Sequence, residues 1–579
     1  MSESHLGSKA TFSLPRHLVG FDLRRLPSYR CDVLVVGSGV GGASAALAAA
    51  ESRDVVVLAK DKLELTATAW AQGGIAAVWS DEDSLDAHIA DTLTVGGGLC
   101  DPAAVRAVVS GGRGAIEQLL SWGARFDASG GGLELSREGG HSHARVIHAL
   151  GDRTGREVQR VLKERLLAHP RITCFESVQA VDVLTDESGA AQGVIAWSQQ
   201  HGWIAFLAES TILATGGGGQ IYRETTNPPS ATGDGLAMAL RAGAVVRDPE
   251  LVQFHPTLLY IAGAARALIS EIVRGAGARL VDRDGVRFLE RDLPDGELSP
   301  RDVVSRAIFR RMVATRDTSV YLDLSGLPGD VREQFPGIAR VCGYFDIDIR
   351  KDPIPVRPGA HYMVGGVKVD LLGRTSVARL YACGEVASTG LHGANRLGSN
   401  SLLEGLVLGS AAGRHAAEQV LGRPIAARER ASGPRIWPGD ERVEFHLDDM
   451  LYSLKSLMWR NVGIEREPEL MQEACQRLAF WARYFFRTPV EPARAVEVAN
   501  VLTAAALVAH GAMEREESRG VHARSDFAQL APEPYHVEMQ ARVDAAAGAM
   551  SGEDASILGL AIQRVPPAVP LAAPLRRTL

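Results

Sequence analysis

The stretch Asp32-Val-Leu-Val-Val-Gly37-Ser38-Gly39-Val40-Gly41-Gly42, running on into Ala43-Ser-Ala-Ala-Leu-Ala-Ala-Ala50, constrains the fold more than any other part of the chain. Its apolar run Val33 to Val36, without a helical stripe, predicts a strand buried on both faces. Gly37, Gly39 and Gly42 spell G-x-G-x-x-G, and an alanine-rich run of high helix propensity follows at once. In such a turn the first glycine permits the bend, and the second lets backbone approach a pyrophosphate. The third lets helix and strand pack closely. The helix N-terminus then presents free N–H groups and the positive end of a dipole to phosphate. Glycine-rich turns also occur without a ligand, but strand before and helix after are the context a dinucleotide site requires. An acidic residue for a ribose is expected about 20 residues past the first glycine. The second strand, Val55-Val-Val-Leu-Ala-Lys60, ends in lysine instead, with Asp61 one position later. The fingerprint therefore predicts a dinucleotide without choosing between flavin and nicotinamide.

The rest of the composition narrows the class. At 579 residues the chain is too long for one core and suggests roughly three or four domains or subdomains. Hydrophobic residues at 46% and charged residues at 23% are ordinary for a globular protein. The net charge of −7 leaves no basic excess to neutralise phosphates, so nucleic acid is not an expected partner. Six cysteines, scattered without any C-x-x-C, suggest reduced thiols and a cytoplasmic protein. No charged-then-apolar leader opens the chain. The longest low-charge run is Val33 to Ala50, the glycine turn itself, so no membrane span is expected.

Taken in order, residues 1–29 carry no period and read as a poorly ordered N-terminal extension. Residues 66–77 are mostly small and surround Gly73-Gly74, suited to packing beside a flat ring system. Asp101 to Trp122 is helical in pattern with Gly123 to stop it, and Gly155 to Leu167 is helical again. Between them Glu138-Gly-Gly-His141-Ser-His143-Ala-Arg145-Val-Ile-His148 breaks every period. Ser210 to Gly219 is a second strand running into glycines, and Asp234 heads a helix. From about Asp248 to Asp352 short motifs and charged helices suggest a domain inserted into the first. Tyr381-Ala-Cys-Gly384-Glu385 and a helix from Asn400 to about Gln419 return to the nucleotide fold. Beyond Gly433 the pattern is helical, notably Glu467 to Phe486 and Pro492 to Glu516, and residues 546–579 read as a loose tail.

Four places concentrate groups able to hold a small anion. They are Gln253-Phe-His255-Pro-Thr257, Ser270-Glu271-Ile-Val-Arg274, Ser299-Pro-Arg301-Asp302, and His361-Tyr362 with His392-Gly-Ala-Asn-Arg396. Arginine suits carboxylates because its planar fork gives two parallel hydrogen bonds, and two separated Arg/His clusters suit a dicarboxylate. Each motif also has a plainer reading. Arg301 alone fits a solvated helix face, His255 before a proline fits a satisfied turn, and His392 with Arg396 fits a helix cap. The pair His141-x-His143 lacks the further ligands of a metal shell, so no metal is expected. Spacing alone leaves these alternatives open.

The same segments, in this order, resemble the flavoprotein subunits of succinate dehydrogenases and fumarate reductases from about Cys31 to Asp526. The specific marks are Ala71-Gln-Gly-Gly-Ile-Ala-Ala77, Arg137-Glu-Gly-Gly-His-Ser-His143, Gln253-Phe-His-Pro-Thr257, Ser299-Pro-Arg-Asp302, His361-Tyr-x-x-Gly-Gly366 and His392-Gly-Ala-Asn-Arg-x-x-x-Asn-Ser-Leu-Leu-Glu404. The resemblance implies an α/β chain (α+β overall). It has a Rossmann-type FAD-binding domain (residues 30–247 and 353–432), an inserted capping domain (248–352) and a C-terminal helical domain (433–545). Respiratory members attach flavin through a histidine just before Ala-Gln-Gly-Gly. Leu65 to Ala71 contains none, which implies non-covalent FAD. The wording around Glu138 resembles the branch of the family that oxidises L-aspartate, where this carboxylate would face the substrate's ammonium.

Carried over residue by residue, the resemblance implies FAD contacts at Gly37, Ser38, Gly39, Val40, Gly41, Gly42, Lys60, Ala67, Thr68, Ala69, Trp70, Ala71, Gln72, Gly73, Gly74, Asp234, Glu385, Ser401 and Leu402. His255, Thr257, His361 and Arg396 would hold substrate carboxylates, with Ser270 supplying a hydroxyl where the family often has threonine. Arg301 would donate and accept the proton, relayed by Glu271 and Arg274. The implied reaction takes L-aspartate to iminoaspartate with O2, giving peroxide, or fumarate as acceptor. It would be the first step of de novo NAD synthesis, with quinolinate synthase taking the unstable imine. The alternatives are a soluble fumarate reductase or succinate dehydrogenase flavoprotein subunit, and a flavin-binding module without catalysis.

Overall fold

The computed structural model describes residues 14–262, 267–422, 425, 427, 430–431, 446–487, 493–541 and 559–567. The apolar run Val33 to Val36 is the second half of strand Ser28–Val36, and its side chains divide between two cores. Val33 and Val35 join one cluster, Leu34 and Val36 the other. In the neighbouring strand Val55–Leu58, Val55 and Val57 join the first and Val56 and Leu58 the second. Over Val33–Val36 and Val55–Leu58 neither strand has a solvent face, as a parallel sheet covered on both sides requires. This sheet has seven strands. Six run in the order Gln179–Thr185, Ala191–Ser198, Gly202–Leu213, Ser28–Val36, Val55–Leu58, Ile172–Phe175, and Leu380–Ala382 pairs with Gly202–Leu213 as well. Gly202–Leu213 is antiparallel to Ala191–Ser198 in its first half, and its end runs parallel to both Ser28–Val36 and Leu380–Ala382.

Helix Val40–Ala50 begins at the glycine turn and is buried almost throughout. Its closest neighbour is helix Asn400–Glu418, which approaches it through glycines. A Cβ at Gly405 would lie 2.7 Å from Val40 Cγ1, at Gly409 2.6 Å from Gly41 O, and at Gly413 2.1 Å from Ala45 O. Positions four apart share a helix face, so these glycines form one stripe on which the alanine-rich helix rests. The closeness of the two backbones fixes where Asn400-Ser401-Leu402 stand relative to the turn.

A four-stranded antiparallel sheet, in the order Val252–Leu259, Ile354–Met363, Val320–Asp323, Arg279–Val281, has a core of its own. Helices Arg301–Thr315 and Pro336–Gly343 close that core with Val304, Ile308 and Ile338. Helices Leu447–Asn461, Pro468–Phe485 and Arg494–Glu514 instead add Leu454, Leu478 and Leu507 to the cluster that holds Leu34 and Val36. Arg494–Glu514 is long and apolar enough to cross a bilayer, but 83% of its apolar window is buried inside the protein. A helix packed on all sides has no need of a polar face.

Two expectations at the ends need correction. The described part of the N-terminal extension is packed: Leu18 is fully buried, its N–H donates to Asp182 Oδ2 at 2.7 Å, and Phe21–Asp22 pairs with Arg430–Ala431. Leu14, Leu18, Val19, Phe21, Leu23 and Leu26 reach the core at irregular intervals that follow neither a helical nor a strand period, which is why the sequence hid it. The described part of the tail is also ordered, because Leu560–Val565 forms an edge strand against His536–Ala541. Only Leu560 of that strand is buried, so it lacks the apolar alternation that reveals a strand.

Candidate active site

A cavity of about 800 Å³ opens at the glycine turn, with Gly37, Ser38, Gly39, Val40 and Gly41 in its wall. Gly37 has φ +115°, and a Cβ there would lie 2.1 Å from Ala214 O, so conformation and contact both demand glycine. Gly42 stands behind the wall, where a Cβ would lie 2.0 Å from Gly37 O. It lets the helix sit against the turn and does not face the cavity. Thr68 Oγ1 accepts the N–H of Val40 at 2.9 Å, leaving the next amides of the first helical turn without intrahelical partners. Ala67, Thr68, Ala69, Trp70, Ala71, Gln72, Gly73 and Gly74 line the cavity, as do Asp234, Glu385, Ser401 and Leu402. Lys60, where an acid is expected, lines it too. Its Nζ lies 2.9 Å from Asp234 Oδ2 and 2.7 Å from Glu497 Oε1. Burial opposes its charge, and the two carboxylates outweigh burial and hold its pKa above the ordinary lysine value.

The far end of the cavity is polar. Glu138, His255, Ser270, Glu271, Arg301, His361 and Arg396 come together there from segments far apart in sequence. Arg301 opens helix Arg301–Thr315 and Glu271 opens helix Glu271–Gly275. Arg301 Nε donates to Glu271 Oε2 at 2.6 Å, and Arg274 Nη2 lies 3.5 Å from Glu271 Oε1. Arg274 is fully buried behind the wall, in reach of Glu271 rather than of the cavity. Thr257 is likewise behind the wall. Its N–H donates to His255 Nδ1 at 3.2 Å and its hydroxyl to Ile269 O at 2.8 Å. It orients His255 and puts the proton of the neutral ring on Nε2. His361 Nδ1 meets Thr226 Oγ1 at 2.8 Å, and the two imidazole rings stand edge to face at 5.1 Å.

Three groups that sequence reading left without a role complete the arrangement. Gln253 Oε1 accepts from Arg396 Nη2 at 3.1 Å and from Arg301 Nη1 at 3.4 Å, so one oxygen joins the two guanidiniums. Its position two residues before His255 on strand Val252–Leu259 was the available signal, since alternate strand residues share a face. Tyr362 lies beneath Arg396, whose guanidinium carbon is 4.3 Å from the ring centroid. Ser399 donates to Glu138 Oε2 at 2.8 Å, and nothing in the sequence points to that pairing. Outside the cavity, both ring nitrogens of His141 are engaged, by Gly398 O at 3.0 Å and Arg145 Nη1 at 3.1 Å.

The electrostatics follow from burial among arginines. Burial pushes His255 and His361 well below the ordinary histidine value, and Arg301 and Arg396 push the same way, so both rings are neutral at pH 7. Burial lowers Arg396 to about 10, aided by the charge of Arg301. For Glu271 burial raises the pKa, but Arg301 and Arg274 overcome it and hold the carboxyl at about 2. Burial and the neighbouring Glu271 both raise Glu138. With Glu138 ionised, three guanidiniums against two carboxylates leave the end of the cavity positive, and a carboxylate faces the same space. Such a place suits a dicarboxylate that also carries a cationic group.

Comparison with known proteins agrees with this chemistry. The family described as "FAD binding domain" matches residues 32–402, and the one described as "Fumarate reductase flavoprotein C-term" matches residues 452–556. L-aspartate oxidase 1 of Ralstonia nicotianae is 45% identical over 536 residues, covering 88% of this chain and 98% of the relative. L-aspartate oxidase of Mycobacterium tuberculosis is 45% identical over 517 residues, covering 88% and 95%. Among solved structures, a quinol–fumarate reductase with menaquinol molecules superposes with a TM-score of 0.85 at 31% identity, covering 95% of this chain and 100% of that one. The chain therefore belongs to the succinate dehydrogenase and fumarate reductase flavoprotein family, and within it to the L-aspartate oxidases.

Proposed function

We propose that this chain oxidises L-aspartate to iminoaspartate at a bound FAD, in a site where each charged group of the substrate has a partner. The observation that carries this reading is Glu138, a carboxylate facing a cavity end otherwise built for anions. Succinate has no cationic group to meet it; aspartate brings an ammonium. The glycine turn, the free amides of the following helix and the small residues from Ala67 to Gly74 fit a dinucleotide with a flat ring system. Among these residues, Gly37 to Gly41, Lys60, Asp234, Glu385, Ser401 and Leu402 would hold FAD. When bound, FAD accepts the electrons and the hydrogen from the substrate's Cα.

The protein's part is position, charge and one proton. Arg396, His255 and His361 bind the carboxylates, the neutral rings as single donors and the guanidinium as a fork. Arg301 gives and takes the proton, and its hydrogen bond to Glu271, with Arg274 at ion-pair distance beyond, supports that role by setting a buried second arginine behind the cavity. Fumarate or O2 takes the electrons in the next half-reaction. FAD is held without a covalent bond, since residues 65–71 offer no histidine. We further propose a cytoplasmic enzyme whose unstable imine passes to quinolinate synthase. Residues 30–247 and 353–432 form the cofactor body, 248–352 the cap and 433–545 the helical domain.

Anaerobic mixing of the yellow protein with L-aspartate and, separately, with succinate tests the proposal through the flavin absorbance. Bleaching by aspartate, with peroxide on re-aeration, is the expected result. Bleaching by succinate alone would assign the chain to the respiratory branch that its solved structural relative represents, and bleaching by neither would refute the substrate class.

A further inference from the structure

Glu138 can read an ammonium only if its carboxylate is ionised and turned to the cavity. It is 5% exposed, and burial and the charge of Glu271 favour its protonated form, against Arg301, the Ser399 hydroxyl and Arg396, which favour the ionised one. Its two oxygens are treated differently. Oε2 accepts the Ser399 hydroxyl at 2.8 Å and lies close to Gly398, where a Cβ would come within 2.8 Å of it. Oε1 lies 3.8 Å from where a Cβ of Gly73 would be, on the side lined by the segment 67–74, and has no hydrogen bond to any described residue.

The residue making this bond is held at a cost. Ser399 has φ +63° and ψ 3°, the left-handed region that non-glycine residues seldom occupy. Its carbonyl is fixed by the N–H of Ala76 at 3.0 Å, and it immediately precedes helix Asn400–Glu418, which the glycine stripe anchors to the cofactor turn. Backbone conformation alone favours glycine at position 399. What serine adds is a hydroxyl aimed at one oxygen of Glu138.

We propose that Ser399 is a specificity-positioning residue, whose hydroxyl turns Glu138 so that Oε1 faces the ammonium of the substrate. This rests on the reading of Glu138 as the ammonium partner. The consequence is selective. Aspartate needs an ionised, oriented Glu138, whereas fumarate has no ammonium and makes no use of it. Removing the hydroxyl therefore weakens one half-reaction more than the other, which a general packing defect would not do.

The test measures kcat and KM for aspartate oxidation and for fumarate reduction by a reduced dye. It uses the FAD-loaded parent, Ser399→Gly, Ser399→Ala and Glu138→Gln. Ser399→Gly is the informative variant, because it removes the hydroxyl and relaxes the backbone together. A hydrogen bond to a charged group implies that the ratio of kcat/KM for aspartate to that for fumarate falls by about ten- to a hundredfold in Ser399→Gly, chiefly through KM for aspartate. If Ser399→Gly lowers both activities in proportion, or leaves the ratio unchanged while Glu138→Gln lowers it, the role assigned to Ser399 is refuted. If Glu138→Gln leaves the ratio unchanged, the reading of Glu138 itself fails, whatever the serine variants do.

Discussion

Replacing Glu271 by glutamine keeps the volume and one acceptor oxygen but removes a charge that stands between two guanidiniums. Burial alone would raise this carboxyl, yet Arg301 and Arg274 hold it at about 2 against an ordinary 4.5. That difference is worth about 3 kcal/mol in favour of the ionised form. Removing one partner of a buried ion pair costs about 3–5 kcal/mol. Because the folded value lies below the unfolded one, this stabilisation is fully present above pH 4.5 and fades as pH falls towards 2. Glu271→Gln therefore lacks it throughout the neutral range and melts at a lower temperature than the parent. The kinetic effect is larger. Glutamine cannot carry a proton between Arg274 and Arg301, and general acid–base catalysis of this kind contributes about 10²–10⁴ in rate. Fumarate reduction by a reduced dye should lose kcat by that factor while the flavin spectrum and KM stay near those of the parent. A fully flavinated Glu271→Gln with kcat within about tenfold of the parent would show that Glu271 lies off the proton route.

Other perturbations test other parts of the structure. Gly37→Ala places a Cβ 2.1 Å from Ala214 O at φ +115°, so the purified variant should lack the flavin absorbance of the parent. Arg515 is fully buried with Asp248 at 2.7 Å, Glu250 at 2.6 Å and Glu517 at 2.9 Å. Asp248 keeps His536 and Glu517 keeps Arg519, but Arg515→Met takes away the ion-pair partner of buried Glu250 and should cost about 3–5 kcal/mol, seen as a lower melting temperature; an unchanged one would contradict it. His255 and His361 have folded pKa values well below 6.5, so their contribution to stability is intact above 6.5 and is lost as pH falls below it. The melting temperature should fall between about pH 7 and about pH 5, and less steeply in His361→Asn.

What the sequence determined by itself is local. A strand with no polar face, a turn needing glycine and an alanine-rich helix are adjacent in the chain, and each is dictated by its own residues. The same is true of helices such as Pro102–Ser121, where Asp101 caps the start and Gly123, at φ +92°, follows the end. Motifs such as Gln253-Phe-His-Pro-Thr257 carried the family resemblance, and Gln253 and His255, alternate residues of one strand, do meet at one site. What only the tertiary structure decided is which distant surfaces meet. The face of Gly405, Gly409 and Gly413 acquires meaning only against Gly41 and Ala45, more than three hundred residues earlier. Ser399 and Glu138 are 261 positions apart, and no period links them. Thr257 and Arg274 belonged to motifs that reach the cavity, but packing set them one layer behind His255 and Glu271. The strand Leu560–Val565 was invisible because a mostly exposed edge strand buries too little to imprint an alternation. Periodicity reports whether a residue is buried; the partner is chosen by the fold, since contacts between distant segments form only when the whole chain closes around its cores.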